Sequence, residues 1–344
     1  MAKLKIAVAG LGRIGWQFHM KSLAKHRRFS LVAALDPLEE RRREATETFG
    51  VQAYASLEDL LAHPDLDAVA LATPTHLHRE HAVAALKAGL HVVLEKPMAR
   101  DLKEARAIAA AARRHGRLLT VYQPHRVSAE QRQLKALLQK GAVGQVHHIR
   151  LTRHRYVRRD DWQSLKRYGG GMLGNYGAHA IDQLLDLVGY DLGRVYGQMR
   201  RAASLGDAED VVKVVCESKA GIWGEIDINQ ASVLQPNPIE VWGSKGGLVY
   251  SGGAFELTTF SLPRPKDGVH RALASPDRAY PSDEVRLHHK KIELKRTYAR
   301  DFYANFADAV QKGKEPIVRP EQTLEVMRTM DRVRQSAGRI RQPD

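Results

Sequence analysis

Between residues 4 and 122 the chain alternates short, continuously apolar runs with longer segments of helical period. Ile6–Ala9, Leu31–Leu35, Ala68–Ala72, His91–Leu94 and Leu118–Tyr122 have the pattern of parallel strands covered on both faces. Segments 14–26, 38–48, 75–88 and 101–115 read as helices, the last capped by Asp101 and closed by Gly116. Such alternation implies right-handed crossovers and a doubly wound parallel sheet. After about residue 144 the rhythm changes. Segments 145–153, 194–202, 209–218, 222–231 and 239–242 read as longer strands of a mostly antiparallel sheet, with one helix at 178–188. Pro320 to Ser336 predicts a terminal helix. The segment 251–290, with Pro263, Pro265, Pro276 and Pro281, has the weakest pattern. The expected fold is α/β, in two domains of residues 1–122 and 123–344. The terminal helix is expected to pack back on the first.

Composition narrows the class. With 344 residues, 43% apolar and 27% charged, the chain can bury a core without staples. No window of eighteen uncharged apolar residues appears, so no transmembrane helix is expected. Met1–Lys5 runs straight into the first strand with no apolar leader, and a cytoplasmic location is expected. The single cysteine, Cys216, excludes an internal disulfide and, within a strand-like run, reads as a buried, inert thiol. The net charge of +15 raises the question of nucleic acid. The excess is dispersed, without zinc-finger spacing or aromatic RNA-binding motifs, so only non-specific attraction to polyanions is expected.

The first strand leads at once into Gly10-Leu11-Gly12-Arg13-Ile14-Gly15 and a helix. In that context a G-x-G-x-x-G run is a dinucleotide fingerprint: a tight turn, close approach of backbone to pyrophosphate, and close helix–strand packing. The second strand ends in Asp36, twenty-one residues past Gly15, where a carboxylate can accept both adenosine ribose hydroxyls. Beside a 2′-phosphate it would be repelled by about 4 kcal/mol at ~4 Å and an effective dielectric near 20. NAD is therefore expected, with NADP as the alternative if Arg41, Arg42 or Arg43 reaches the phosphate. Those arginines read as a solvated helix face, with Glu39 four residues before Arg43.

The third and fourth predicted strands are followed by Thr73-Pro74-Thr75-His76-Leu77-His78 and Glu95-Lys96-Pro97. With the glycine loop, Tyr122-Gln123 to Arg126, Gly141-Ala142-Val143-Gly144, and Gly169-Gly170-Gly171 through Asp182, they resemble the Gfo/Idh/MocA oxidoreductases over nearly the whole chain. The resemblance implies a Rossmann domain and a second domain whose large open sheet forms a dimer or tetramer interface, with the active site between them. It implies that Lys96 reaches the substrate oxygen, that Thr73, Pro74, His76, Glu95 and Gln123 lie along the cofactor, and that a cis bond precedes Pro97. An ammonium at the carboxyl end of a parallel strand can also stabilise an alkoxide or relay a proton. His179 matches the family's histidine, while Asn175 stands where inositol dehydrogenase-like members have Asp. Asn positions a hydroxyl but cannot ionise, which makes His179 the base candidate. Asp182 either orients His179 or bonds the backbone.

His78 and His81 read as helix-surface residues. His147-His148, His288-His289 and His76-x-His78 lack zinc-site spacing, and no metal is expected. Arg150, Arg153, Arg155, Arg158, Arg159, Lys166 and Arg167 precede the glycine run with only Asp160 and Asp161 nearby. They form a solvated surface or, with Arg153 as a substrate-binding residue, a site for a sugar acid or phosphate. The expected reaction is hydride transfer between nicotinamide and a secondary alcohol or carbonyl of a sugar, polyol or sugar acid. Two alternatives are an NAD-dependent glycoside hydrolase using transient oxidation and a non-catalytic dinucleotide-binding regulator.

Overall fold

The computed structural model describes residues 2–262, 284–338 and 340. Its first sheet comprises β1 (Leu4–Ala9), β2 (Phe29–Leu35), β3 (Gln52–Tyr54), β4 (Ala68–Leu71), β5 (His91–Leu94) and β6 (Leu119–Val121). They run parallel in the order β3-β2-β1-β4-β5-β6. The central strands are buried on both faces, which accounts for their unbroken apolar character. The order reverses between β1 and β4, so the loops following those two strands open a crevice at the carboxyl edge. Strand β3, absent from the pattern reading, is three residues long and shows no period. Asp101 caps the helix Leu102–Arg114 as expected, accepting from Glu104 N at 2.8 Å.

The second sheet holds β7 (Val146–His154), β8 (Leu192–Arg200), β9 (Val211–Ser218), β10 (Trp223–Asn229), β11 (Ile239–Gly243), β12 (Gly246–Ser251), β13 (Ala254–Ser261) and β14 (Arg286–Glu293). Their order is β14-β13-β12-β11-β7-β10-β9-β8, antiparallel except between β7 and β10. Strands β13 and β14 correct the expectation of weak structure over 251–290. Gly252 and Gly253, both with positive φ, turn the chain between β12 and β13. The four prolines of that segment lie outside the described residues.

One face of this sheet packs on the helices Ala178–Val188 and Pro320–Ala337. The fit is tight enough that a methyl on Gly197 would meet Val333 Cγ1 at 2.6 Å. Tyr196, Val215, Trp223 and Leu287 are exposed on the sheet. The helices Ala129–Gln139 and Phe302–Lys312 were not expected. The second returns to the first sheet: Phe306 stacks on Phe29 with centroids 6.2 Å apart, and Asp308 pairs with Arg28 at 2.9 Å. Thr120 Oγ1 donates to Val318 O at 2.8 Å, and Leu102 N to Asp331 Oδ2 at 3.1 Å, so the last helices bind both sheets together.

Candidate active site

The glycine loop divides its labour. A methyl group on Gly10 (φ +92°) would lie 2.6 Å from Ala72 O, and one on Gly15 would lie 1.7 Å from Gly10 O. Those two positions are demanded by the protein's own packing. At Gly12 a methyl would meet nothing within 4 Å, so the loop surface there is open at the mouth of the crevice. Exposed Arg13 and half-buried Ile14 follow it. Across the crevice, Thr73 Oγ1 and His76 Nδ1 are buried with no hydrogen-bond partner among the described residues, and Pro74 begins the short turn between them. An open cradle with unpartnered polar atoms beside it fits a dinucleotide.

Asp36 is buried and holds the loop. Its Oδ2 accepts from Leu11 N at 2.8 Å and its Oδ1 from Leu38 N at 3.0 Å. The arginines behind it are not all a solvated face. Arg41 pairs with Asp36 Oδ2 at 3.3 Å, and Arg42 donates to the carbonyls of Asp36 and Pro37. A carboxylate and carbonyls ending a strand attract the guanidinium groups of the next helix, which periodicity alone does not reveal. Arg41 and Arg43 are exposed and Arg42 is part-buried, and the partner of Arg43 is Glu47 at 4.0 Å.

Half-buried Lys96 follows β5 and precedes a cis bond to Pro97. Its Nζ donates to Asn175 O and to Asn175 Oδ1, each at 3.0 Å, and the Asn175 amide donates to Gln163 Oε1 at 2.9 Å. Burial lowers the Lys96 pKa, Glu95 opposes the shift, and the charges of Arg13 and Arg159 add to it. His179, one turn beyond Asn175, places Nδ1 2.7 Å from Gln123 Oε1, while Gln123 Nε2 donates to Ala178 O at 3.4 Å. An amide oxygen can only accept, so the proton sits on Nδ1 and the lone pair on Nε2. Burial, with Lys96, His125 and Arg153 nearby, holds the His179 pKa well below its ordinary value.

Asp182 does not orient His179, nor does it bond the backbone. Its carboxylate takes Arg126 on both oxygens, at 2.6 and 2.7 Å, and His125 Nε2 at 2.7 Å. A buried carboxylate needs a full cation, and Arg126 supplies one. His125 in turn stands edge-on to His179 with ring centroids 5.9 Å apart. His78 corrects another expectation: it is buried, with Nδ1 2.9 Å from Pro97 O and Nε2 2.9 Å from Thr73 O, tying together the loops after β5 and β4. His81 is partly buried, and its Nδ1 has no partner among the described residues.

Glu95 is also buried. Its Oε1 lies 3.1 Å from His19 Nε2, His19 Nδ1 lies 2.6 Å from Tyr303 Oη, and its Oε2 accepts from Lys96 N at 3.0 Å. Burial pushes the Glu95 pKa up, but His19 and Lys96 outweigh it and leave the value lowered. Glu209 fastens the loop that delivers Asn175, accepting from Leu173 N at 3.0 Å, where any side chain on Gly171 (φ +108°) would collide with its carboxylate. Gln163 and Glu209 carry no local sequence signal, and His125 lies inside the family-like stretch Tyr122 to Arg126 without one of its own. His19 carries a weak one, four residues past Gly15 on the inner side of the first helix.

A family model described as "Oxidoreductase family, NAD-binding Rossmann fold" matches residues 4–123, and "GFO/IDH/MocA C-terminal domain" matches 131–249. An uncharacterized oxidoreductase of Schizosaccharomyces pombe is 32% identical over 55% of this chain and 53% of its own, so the match spans about half of that relative. Myo-inositol 2-dehydrogenase of Thermotoga maritima is 31% identical over 78% of this chain and 81% of its own. Among solved structures, an NAD-binding protein from Listeria innocua superposes with a TM-score of 0.84, at 27% identity and 98% coverage of both chains.

Proposed function

The chain belongs to the Gfo/Idh/MocA family of NAD(P)-dependent oxidoreductases, and from that premise we propose that it reversibly oxidises a secondary alcohol of a sugar, polyol or sugar acid. The observation that carries this reading is the pairing of Lys96 and His179. Two N–H groups of the Lys96 ammonium are taken by Asn175, which leaves a third to donate to a substrate oxygen. His179 Nε2 carries a lone pair fixed by Gln123. In this reading Nε2 removes the hydroxyl proton while Lys96 Nζ stabilises the developing alkoxide. Nicotinamide, when bound, supplies the hydride acceptor. Gly10, Gly12, Arg13, Ile14 and Gly15 would cradle its pyrophosphate, Asp36 its adenosine ribose, and Thr73, Pro74, His76 and Glu95 its path to Lys96. Gln123 acts in this reading beneath His179.

We propose NAD as the preferred form, a cytoplasmic location that suits the one buried thiol, and a homo-oligomer through the open sheet. No helix among the described residues is long and apolar enough to cross a membrane. The test is a fluorescence titration with NADH and NADPH at physiological salt, followed by turnover with sugars, inositols and sugar acids. Tighter NADH binding and reduction of NAD are expected. Tighter NADPH binding would shift the cofactor assignment to Arg41. Glycoside cleavage without net NADH would replace the dehydrogenase by a hydrolase.

A further inference from the structure

Along β7, Ile149, Leu151 and Arg153 share one face. The first two are buried on the side that carries the helix Ala178–Val188, and Arg153 emerges exposed near the strand's end. Its guanidinium carbon lies 4.4 Å from the centroid of the Tyr176 ring, and its Nη2 donates to Tyr176 Oη at 2.9 Å. Tyr176 directly follows Asn175, the residue that holds Lys96. Arg150 pairs with Glu240, and Arg159 with Asp161. Arg153 pairs with no carboxylate among the described residues.

We propose that Arg153 is an anion subsite and that the substrate carries a carboxylate or phosphate besides its reacting hydroxyl. The inference rests on the dehydrogenase reading above and sharpens its substrate class. Tyr176 fixes the plane of the guanidinium and occupies one of its five N–H donors, leaving others for a bidentate contact with an oxyanion. The planar fork suits arginine and not lysine, and stacking on an aromatic ring lowers the entropy lost on binding. The charges of Arg153 and Lys96 both act on the His179 ring, and a neutral sugar bound there would leave Arg153 without a counter-charge.

The test is calorimetry of the NADH-bound protein with D-glucuronate, D-gluconate and D-glucose 6-phosphate, against D-glucose and myo-inositol. At least one acid should bind about 10- to 100-fold tighter than the neutral compounds, the range of a hydrogen bond to a charged group. Which acid binds distinguishes carboxylate from phosphate. Arg153→Gln should abolish the preference with NADH affinity unchanged, and Arg153→Lys should restore part of it. Arg106→Gln, which removes the same charge from a distant helix, should leave it intact. Equal binding of acids and neutral sugars, absence of acid binding, or an equal loss in Arg106→Gln would overturn the subsite. Failure of NADH itself to bind would overturn the dinucleotide reading as well.

Discussion

What a single methyl group would meet separates Gly12 from Gly15. At Gly15 it collides with the Gly10 carbonyl, and at Gly12 it enters open space. Gly15→Ala should therefore lower the melting temperature and disturb the fold, whereas Gly12→Ala should keep the melting temperature and weaken NADH binding. Calorimetric scanning beside cofactor titration separates the two effects. His179→Ala and Lys96→Ala should each lower kcat by about 10²–10⁴. The lowered His179 pKa leaves the ring neutral at pH 7. Oxidation should accordingly persist as pH falls through 6.5 and fail only below it. An acidic limb of kcat/KM above pH 6.5 would assign the base elsewhere. The glycines were legible from their spacing and Lys96 from its place at a strand end, whereas His179 was marked only by the family resemblance. Their partners, such as Gln163 and Glu209, come from other elements and leave no local mark.

At the scale of elements, the Asp182–Arg126–His125 cluster pins the helix Ala178–Val188 to the turn after β6. Asp182→Asn would leave the Arg126 charge buried and half-paired, at a cost of about 3–5 kcal/mol, measurable by urea unfolding. Burial raises the Asp182 pKa, but Arg126 and His125 outweigh it, so the folded value lies below 3.8. Its stabilisation is present above that unfolded value and is lost as pH falls through the depressed one. On β9, burial pushes the Cys216 thiol up to about 11. It should resist thiol reagents at pH 8 in the native protein and react on unfolding. Five of the six parallel strands could be read from unbroken apolar runs. Three-residue β3 was too short, and Arg286–Glu293 too polar, for pattern to reveal them. The helix Phe302–Lys312 was missed for want of a recognised boundary, although Asp301 caps it by accepting from Ala304 N at 3.0 Å.

The molecule as a whole presents one sheet face with Tyr196, Val215 and Trp223 more than half exposed, at 54%, 51% and 59%. A patch of that kind on a monomer is unusual, and a self-complementary pair of such faces could bury the ~800 Å² per subunit of a stable dimer. If the proposed homo-oligomer forms through this face, Trp223→Glu should shift it to monomers in light scattering while leaving NADH binding intact. A wild-type monomer at micromolar concentration would remove the proposed interface. The change from a parallel to a mostly antiparallel sheet could be read from the sequence. The return of the last helices onto the first sheet rests on distant pairs such as Phe29 and Phe306.

That return makes the order of synthesis matter. The first sheet leaves the ribosome early, yet the rings that pack on Phe29 and His19 belong to residues 302–312. At about 5–20 residues per second, the nascent Rossmann unit waits roughly ten to forty seconds for its covering helix. Throughout that interval its outer apolar seam is bare, a natural client for chaperones. Emergence of residues 302–312, not completion of the nucleotide fold, is the point at which that seam can be covered.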